Sequence, residues 1–509
     1  MSAMVPRRVI LTAALVYTIV AVMPCAYMLS AGTLGAWRRV WLSPRQAGLL
    51  ANTFALSGLA AILAVALGTT LAILVGRTDL FGRRGVLFAA GAQLFIAPHL
   101  LAVAGQYLFG TSFSGLMAAV IVLGVSYYPL AFLIVLAGLS SVDPSQEEAA
   151  VLVHKRGAVL RGITLRVVRP HVLASFIFVS LLCLVEYGVP DILRLNTYPV
   201  EIFAQFSAYY DNAGAAALSA PLILIAFLLL VGAQRLVGGR KFAGFRIGRI
   251  AHGLRLELRS GRVWIAGLVW MLFGGALLLP VSVFARQVAL SKRPLFSMIA
   301  SAPIGTSLAI AALGATCITL LAFPVAYAAE RAKSSARNWI LLFGLLPLAI
   351  PATVVGIGLI ALWNRDLGLP IYGSWVMLVL GCTARFSPFA MVILAATFKL
   401  VSREQEEAAL LIAPGWLGRV FRIVTPQCRA GISVAWAISF VFCLGELGTS
   451  LLVMPPGTET LTLRLFNLMH YGAQDVVALL ALLVVGCGLT VSGILAAMYG
   501  WKGSELWSG

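Results

Sequence analysis

The residues of this sequence that could do chemistry are few and lie in two kinds of place. Two similar polar loops, PSQEEAAVLVHKRG from Pro144 and SREQEEAALLIAPG from Ser402, each hold adjacent glutamates followed by two alanines. Isolated ionisable residues also interrupt long apolar runs, namely His99, Glu186, Arg385 and Glu446. Acidic residues in the first turn of a helix interact favourably with its dipole. An ionisable group among apolar residues instead needs a partner or water.

No motif for catalysis, metal binding or nucleotide binding accompanies these residues. The sequence lacks the H-E-x-x-H and G-x-S-x-G patterns, and it lacks the G-x-x-x-x-G-K-[ST] loop that cradles ATP phosphates. Its seven cysteines are scattered without C-x-x-C spacing. We therefore expect neither a disulfide framework nor a metal site, and we do not expect the chain itself to be an enzyme.

Long apolar segments must position these residues. Hydrophobic residues make up 61% of the chain and charged residues 11%, and the mean hydropathy is +0.98. A helix of about 20 apolar residues spans a bilayer. Twelve such runs occur, at residues 9–30, 51–75, 86–110, 115–139, 172–190, 215–234, 263–285, 304–329, 339–362, 373–397, 431–453 and 476–499. The alternating pattern of barrel strands is absent, so we predict an all-α integral membrane protein with about twelve transmembrane helices.

The distribution of basic residues predicts on which side of the membrane the two termini lie. The first apolar run exceeds a signal-peptide core, so we expect an uncleaved first helix. If the N-terminus is inside, inner basic residues outnumber outer ones about threefold, which predicts that both termini are cytoplasmic. The net charge of +19 then reflects topology and not a nucleic-acid partner. The basic stretch 235–262 is expected to meet anionic lipid headgroups of the bilayer.

The two halves of the sequence resemble one another in the same order. NTFALSGLAAILAVALGTTLAILVGR from Asn52 aligns with TSLAIAALGATCITLLAFPVAYAAER from Thr306. Further matched pairs are Pro98 and Pro351, Pro129 and Pro388, and Glu186 and Glu446. A series of matches with slowly drifting spacing indicates a duplication.

We divide the chain into a first half at 1–237, a basic cytoplasmic linker at 238–262 and a second half at 263–509. Each half has six predicted helices, and because six is even the halves should be parallel repeats with one membrane orientation. Both glutamate loops then lie on the cytoplasmic side. Each loop should form a helix, a turn at Gly157 or at Pro414–Gly415, and a basic segment that ends at Pro170 or Pro426.

This pattern resembles the EAA loop of ABC-importer permeases. The matching residues are Glu147, Glu148, Ala149, Ala150 and Gly157 in the first copy, and Glu406, Glu407, Ala408, Ala409, Ala413 and Gly415 in the second. The family usually has glycine six residues after the glutamate, where this chain has His154 and Ala413. In that family the loop is the coupling helix that sits in a groove of the ATP-hydrolysing subunit.

The resemblance implies partners and a location. It implies two copies of a cytoplasmic ABC ATPase, which uses the ATP, and a soluble substrate-binding protein outside. It also implies a multi-pass protein of the bacterial inner membrane that binds no cofactor. The fused halves look like the ferric-iron and thiamine branch, with iron(III) as the expected cargo and thiamine, a phosphonate or a polyamine as alternatives. A twelve-helix secondary transporter is a rival, as is a membrane enzyme.

The isolated ionisable residues are candidates for the transport pathway. Glu186 and Glu446 occupy matching positions near the outer ends of the fifth and eleventh helices. They are either an acidic pair beside the pathway or carboxylates satisfied by nearby backbone. Arg385 could pair with a carboxylate or face water. His99 follows Pro98 at an expected kink, either near the pathway or as a packed, hydrogen-bonded residue.

Overall fold

A computed structural model describes residues 6–41, 43–238, 254, 256–332, 334–365, 370–409, 415–469 and 471–499. This part of the chain is helical apart from loops and an isolated parallel bridge between Thr78 and Leu256. Ten helices within it are long and apolar enough to cross a membrane: Leu11–Ser30, Pro44–Arg77, Gly115–Leu139, Arg156–Leu184, Asn212–Arg235, Arg259–Ala289, Ile304–Arg331, Val376–Phe398, Trp416–Leu444 and Gln474–Val491. The fold class is therefore as predicted.

Two further helix pairs are each bent at a short break. If each pair counts as one span, the chain has twelve spans, and these pairs are the third and the ninth in chain order. Arg83–Gln93 meets Pro98–Ser112 at 93°, and Ala336–Ala349 meets Ala352–Trp363 at 95°. The residues before Pro98 and Pro351 are extended, with ψ of 139° and 122°. Proline disfavours the helical conformation in the residue that precedes it. The kink expected at Pro98 is therefore a complete break.

Each bent pair carries the chain across the membrane. Arg77, at the C-terminal end of the second span, donates from Nη2 to the carbonyl oxygen of Leu139 at 3.0 Å. Leu139 ends the fourth span, so these two spans run in the same direction and the third must return between them. Arg331 at the end of the eighth span donates to the carbonyl oxygen of Val401 at 3.2 Å, just after the tenth span. The same argument makes the ninth pair a crossing.

The two halves exchange their first spans. In the second half, a Cβ added to Gly358 would lie 2.3 Å from the carbonyl oxygen of Pro24, so the first span packs directly on the ninth. In return, Phe273 of the seventh span packs edge-on against Tyr128 of the first half, with ring centroids 5.7 Å apart. The division of the chain at residues 238–262 stays a prediction from the sequence. The first span of each predicted half packs against helices of the other half.

Short helices connect the spans on both faces of the bundle. Pro144–Val153 and Arg403–Ala409 follow the fourth and tenth spans on the face that holds the glutamate loops. The opposite face carries the helices Leu34–Trp41, Gly188–Ile192, Tyr198–Ser207, Leu295–Ala300, Ser450–Val453 and Leu461–Met469. We call these two sides the loop face and the opposite face.

Candidate functional site

The helix of the first glutamate loop starts at a side-chain cap. Asp143 precedes the helix Pro144–Val153 and accepts a hydrogen bond from the backbone N–H of Ser145 at 3.0 Å. Such a side-chain cap satisfies one of the free N–H groups of a helix start. In the second loop, Ser402 Oγ accepts from the N–H of Gln405 at 3.2 Å, just before Arg403–Ala409.

Two expectations about these loops are wrong. Gly157 does not form the turn, because it lies inside the helix Arg156–Val159 and its φ is not positive. The turn is made by His154 with φ −125° and ψ 152°, a conformation open to any residue. Pro170 does not end the basic segment, which continues through it as Arg156–Leu184, and Pro426 lies likewise within Trp416–Leu444. A proline removes one backbone hydrogen bond, which neighbouring spans can offset in a packed helix.

Glu147 ties the first loop to the membrane spans. Its side chain is fully buried, with Oε1 3.0 Å from Nε of Arg77. Oε1 also accepts from the hydroxyl of Thr164 at 2.5 Å, and Oε2 accepts from the N–H of Leu254 at 3.1 Å. Because Arg77 also holds Leu139, one buried ion pair joins the loop to the second and fourth spans.

Glu406 does the same in the second loop. Its carboxylate accepts from Nε of Arg331 at 3.0 Å and from the hydroxyl of Tyr327 at 2.6 Å. The side chains of Arg331 and Glu406 are 5% and 3% exposed. Each loop therefore has its own buried arginine–glutamate ion pair. A hydroxyl group also donates to the glutamate, from Thr164 in the first half and from Tyr327 in the second.

The adjacent glutamates have opposite environments. Glu147 and Glu406 are buried, whereas Glu148 and Glu407 are exposed to solvent. The adjacent glutamates cannot be told apart by their local sequence, although Arg77 and Arg331, which end the two aligned copies of the repeat, indicate where a buried partner could lie.

The remaining loop residues form an exposed surface. Ala149, Gly157, Ala408 and Gly415 are exposed and Ala150 is partly buried. Leu152 and Val153 are 88% and 79% exposed, which is unusual for apolar side chains. Ala409 ends the helix Arg403–Ala409. Ala413 and Pro414 lie outside the described residues, so the turn expected at Pro414–Gly415 stays a prediction.

Both loops lie on the same face. The N–H of Leu256, just before the seventh span, donates to the carbonyl oxygen of Arg77 at 2.8 Å. The seventh span therefore starts beside the first loop, crosses once, and the eighth span crosses back to Arg331 and Glu406.

Four interrupted segments meet inside the helix bundle. They are the breaks in the third and ninth spans and the ends of the fifth and eleventh. An added Cβ at Gly445 would lie 3.2 Å from Cβ of Ala97, and one at Gly448 would lie 2.7 Å from Cβ of Ala352. We call this region, residues 97–99, 186–188, 352–353, 385 and 446–449, the junction. Irregular backbone at membrane depth is tolerated only inside protein or beside a water-filled cavity.

Arg385 and Glu446 form a buried ion pair at the junction. Arg385 Nη1 donates to Glu446 Oε2, and the backbone N–H of Thr449 donates to Oε1 at 2.7 Å. The two side chains are 20% and 2% exposed. Of the two alternatives considered for Arg385, pairing with a carboxylate or facing water, the structure shows the pairing; a role in the transport pathway stays a prediction.

Glu186 and His99 join the junction from the first half. A Cβ added to Gly188 would lie 3.5 Å from Glu186 Oε1 and 3.6 Å from Cβ of His99, so these two side chains are neighbours. His99 is 4% exposed and its Nε2 has no hydrogen-bond partner. The structure thus brings together all four isolated ionisable residues, which the sequence places up to hundreds of positions apart.

In the described part of the chain, no three His, Cys, Asp or Glu side chains are close enough to hold a metal ion. No protein-family model matches the sequence. Comparison with curated proteins does find relatives over most of the chain.

The sequence is 26% identical over 461 residues to the Fe(3+)-transport system permease protein FbpB 2 of Haemophilus influenzae. This alignment covers 87% of this chain and 89% of that protein. The sequence is 21% identical over 471 residues to the ferric transport system permease protein FbpB of Actinobacillus pleuropneumoniae, covering 84% and 68%. A shorter match, 27% over 193 residues, is to the putrescine transport system permease protein PotI of Escherichia coli, and it covers 36% of this chain.

Proposed function

We propose that this chain, a homologue of ABC-type permeases, is the membrane-spanning subunit of an ATP-driven importer that carries ferric iron. The cargo is supported by the relatives that align over most of the chain, which are named for iron(III) transport. Relatives named for putrescine or 2-aminoethylphosphonate align over 36% and 33% of it. A polyamine, a phosphonate or thiamine is therefore the alternative cargo.

The observation that supports an ATPase partner best is the pair of glutamate loops on one face. Each loop is fixed to its spans by a buried arginine–glutamate pair and presents a second glutamate to solvent. In the first loop this carboxylate, Glu148, lies near the exposed Leu152 and Val153. An apolar patch rimmed by charge is typical of a protein interface. Two copies of an ATPase would each receive one loop, in the two-fold arrangement that parallel repeats provide.

The same ion pairs explain how motion would be transmitted. Closure of the ATPase dimer on ATP would move the two loops together. Because Arg77 and Arg331 lock the loops to the second, fourth, eighth and tenth spans, the loops cannot shift alone. Packed helices move as rigid bodies, so the spans would switch the bundle between inward-open and outward-open states.

The rest of the assembly belongs to the same proposal. ATP is used by the partner, and the chain binds no cofactor of its own. The protein would lie in a bacterial inner membrane with the loop face and both termini in the cytoplasm. A soluble binding protein would deliver iron at the opposite face, where the helices Tyr198–Ser207 and Leu461–Met469 lie.

Reconstituted transport tests this function. The chain is expressed with a candidate ATPase and a candidate binding protein from the same organism, and the complex is placed in liposomes that contain ATP. Uptake of radioactive ferric iron should require a hydrolysis-competent ATPase and should persist when a protonophore collapses the proton gradient. Uptake of putrescine should stay at background. Uptake that is independent of ATP and abolished by the protonophore would show a secondary transporter instead.

A further inference from the structure

The segment that leads into the seventh span also holds the first glutamate loop. We propose that its described residues, Leu254 and 256–262, are a positioning element for this loop, and we call them the clasp. The clasp does for the first loop what a tyrosine side chain does for the second. This inference rests on the proposed function, since it concerns a loop proposed to bind the ATPase, and it adds the seventh span to the parts that this loop moves.

The clasp runs along the end of the second span as a short strand would. The N–H of Leu256 donates to the carbonyl oxygen of Arg77 at 2.8 Å, and the N–H of Leu258 donates to Asp79 Oδ1 at 2.9 Å. Alternate residues of an extended segment present their N–H groups to the same neighbour. Asp79 also lies 3.9 Å from Nε of Arg262, where the seventh span begins. The clasp is therefore fixed at several points to the first half.

The clasp supplies a hydrogen bond that a tyrosine supplies in the second half. There, the hydroxyl of Tyr327 donates to Glu406 Oε2 at 2.6 Å. The aligned residue of the first half is Ile73, one helical turn before the arginine of the buried pair, and isoleucine has no donor on its side chain. The corresponding oxygen, Glu147 Oε2, accepts instead from the backbone N–H of Leu254 at 3.1 Å. The clasp thus replaces the missing hydroxyl.

Burial makes this backbone bond the important contact of the clasp. Leu254 is 4% exposed and the side chain of Glu147 is fully buried. A buried acceptor that loses its donor is costly, because water cannot replace the bond. The clasp also carries Glu257, which lies 3.3 Å from Arg156, but these side chains are 63% and 49% exposed. Exposed ion pairs contribute little, so the backbone bonds hold the loop.

The clasp joins the first loop to a span of the second half. It continues directly into the helix Arg262–Phe273 of the seventh span. That helix packs on the first half, since a Cβ added to Gly85 would lie 2.7 Å from the Trp270 ring, and Phe273 lies edge-on to Tyr128. Packed helices move as rigid bodies. A shift of the first loop would therefore carry the seventh span with it.

Hydrogen exchange of the purified chain in nanodiscs tests the clasp without an ATPase. Leu254→Pro removes the N–H that bonds to Glu147. The amides of Pro144–Val153 should then exchange about tenfold faster, because a buried acceptor has lost its donor. Those of Arg403–Ala409 should keep the wild-type rate. Tyr327→Phe is the matched control and should give the reverse pattern.

A rescue variant separates positioning from a general loss of stability. Ile73→Tyr in the Leu254→Pro background supplies the hydroxyl that the second half uses, and it should restore most of the slow exchange. If Leu254→Pro does not fold, Asp79→Ala still tests the clasp. This variant keeps the bond from Leu254 and removes only the acceptor of Leu258, so exchange in the first loop should rise about threefold.

Two results would overturn the clasp. One is unchanged exchange of the first loop in every folded variant, and the other is equal acceleration of both loops. In the reconstituted complex, Leu254→Pro should also lower the iron transported per ATP hydrolysed, since the loop could then shift without the seventh span. Absence of ATP-driven iron uptake by the wild type would instead overturn the proposed function, and the exchange measurement would still decide whether the clasp holds the loop.

Discussion

Glu407→Lys should weaken binding of the ATPase at least tenfold and reduce iron uptake accordingly, while leaving the permease folded. Glu407 is exposed on the loop face. Reversing its charge replaces an attraction across the proposed interface with a repulsion, and wrong charge pairs at interfaces are strongly unfavourable. We expect at least a tenfold loss of ATPase affinity, or about 1.4 kcal/mol. Co-purification of the ATPase and uptake in proteoliposomes measure the effect.

A matched control separates docking from general charge effects. Glu459→Lys reverses an exposed carboxylate on the opposite face, where it pairs loosely with Arg464 at 3.7 Å. This control should bind the ATPase normally. If Glu407→Lys retained the ATPase and full uptake, the second glutamate loop would have no docking role.

Glu406→Ala should unfold the second loop and destabilise the whole protein. In the wild type the Arg331 side chain is 5% exposed and pairs with the Glu406 carboxylate. The substitution removes that carboxylate and leaves the buried guanidinium without its ion-pair partner. Removing one partner of a buried ion pair costs about 3–5 kcal/mol. We expect a clear fall in the midpoint of thermal unfolding and loss of uptake.

A second substitution tests whether the buried charge is the cause. Arg331→Met in the Glu406→Ala background removes the orphaned guanidinium and should recover part of the lost stability. Glu407→Ala, one residue away on the exposed surface, should leave stability within about 0.5 kcal/mol of the wild type. Equal stability of Glu406→Ala and Glu407→Ala would show that the buried pair contributes little.

The sequence predicted features that depend on local chemistry. Apolar runs of the right length correspond to the spans, Asp143 and Ser402 start the loop helices, and the helix is interrupted at Pro98, where a kink was expected. Each of these outcomes depends on residues within one or two helical turns. A pattern in one stretch of sequence is then enough to predict it.

What the sequence did not predict depends on packing between distant segments. Glu147 and Glu148 are adjacent, and only the neighbouring spans decide which of them turns inward, since one residue rotates a helix by about 100°. The exchange of the first spans between halves has no local signature. The meeting of His99, Glu186, Arg385 and Glu446 likewise depends on packing between the third, fifth, tenth and eleventh spans.

The central claim is that both glutamate loops face the cytoplasm and bind an ATPase. Single cysteines at Leu152 and Glu404, both exposed, can be introduced after the native cysteines are replaced. A membrane-impermeant maleimide should label both positions in inside-out vesicles but neither in intact spheroplasts, and bound ATPase should block both. Labelling of either loop from the outside, or labelling unaffected by the ATPase, would contradict the account.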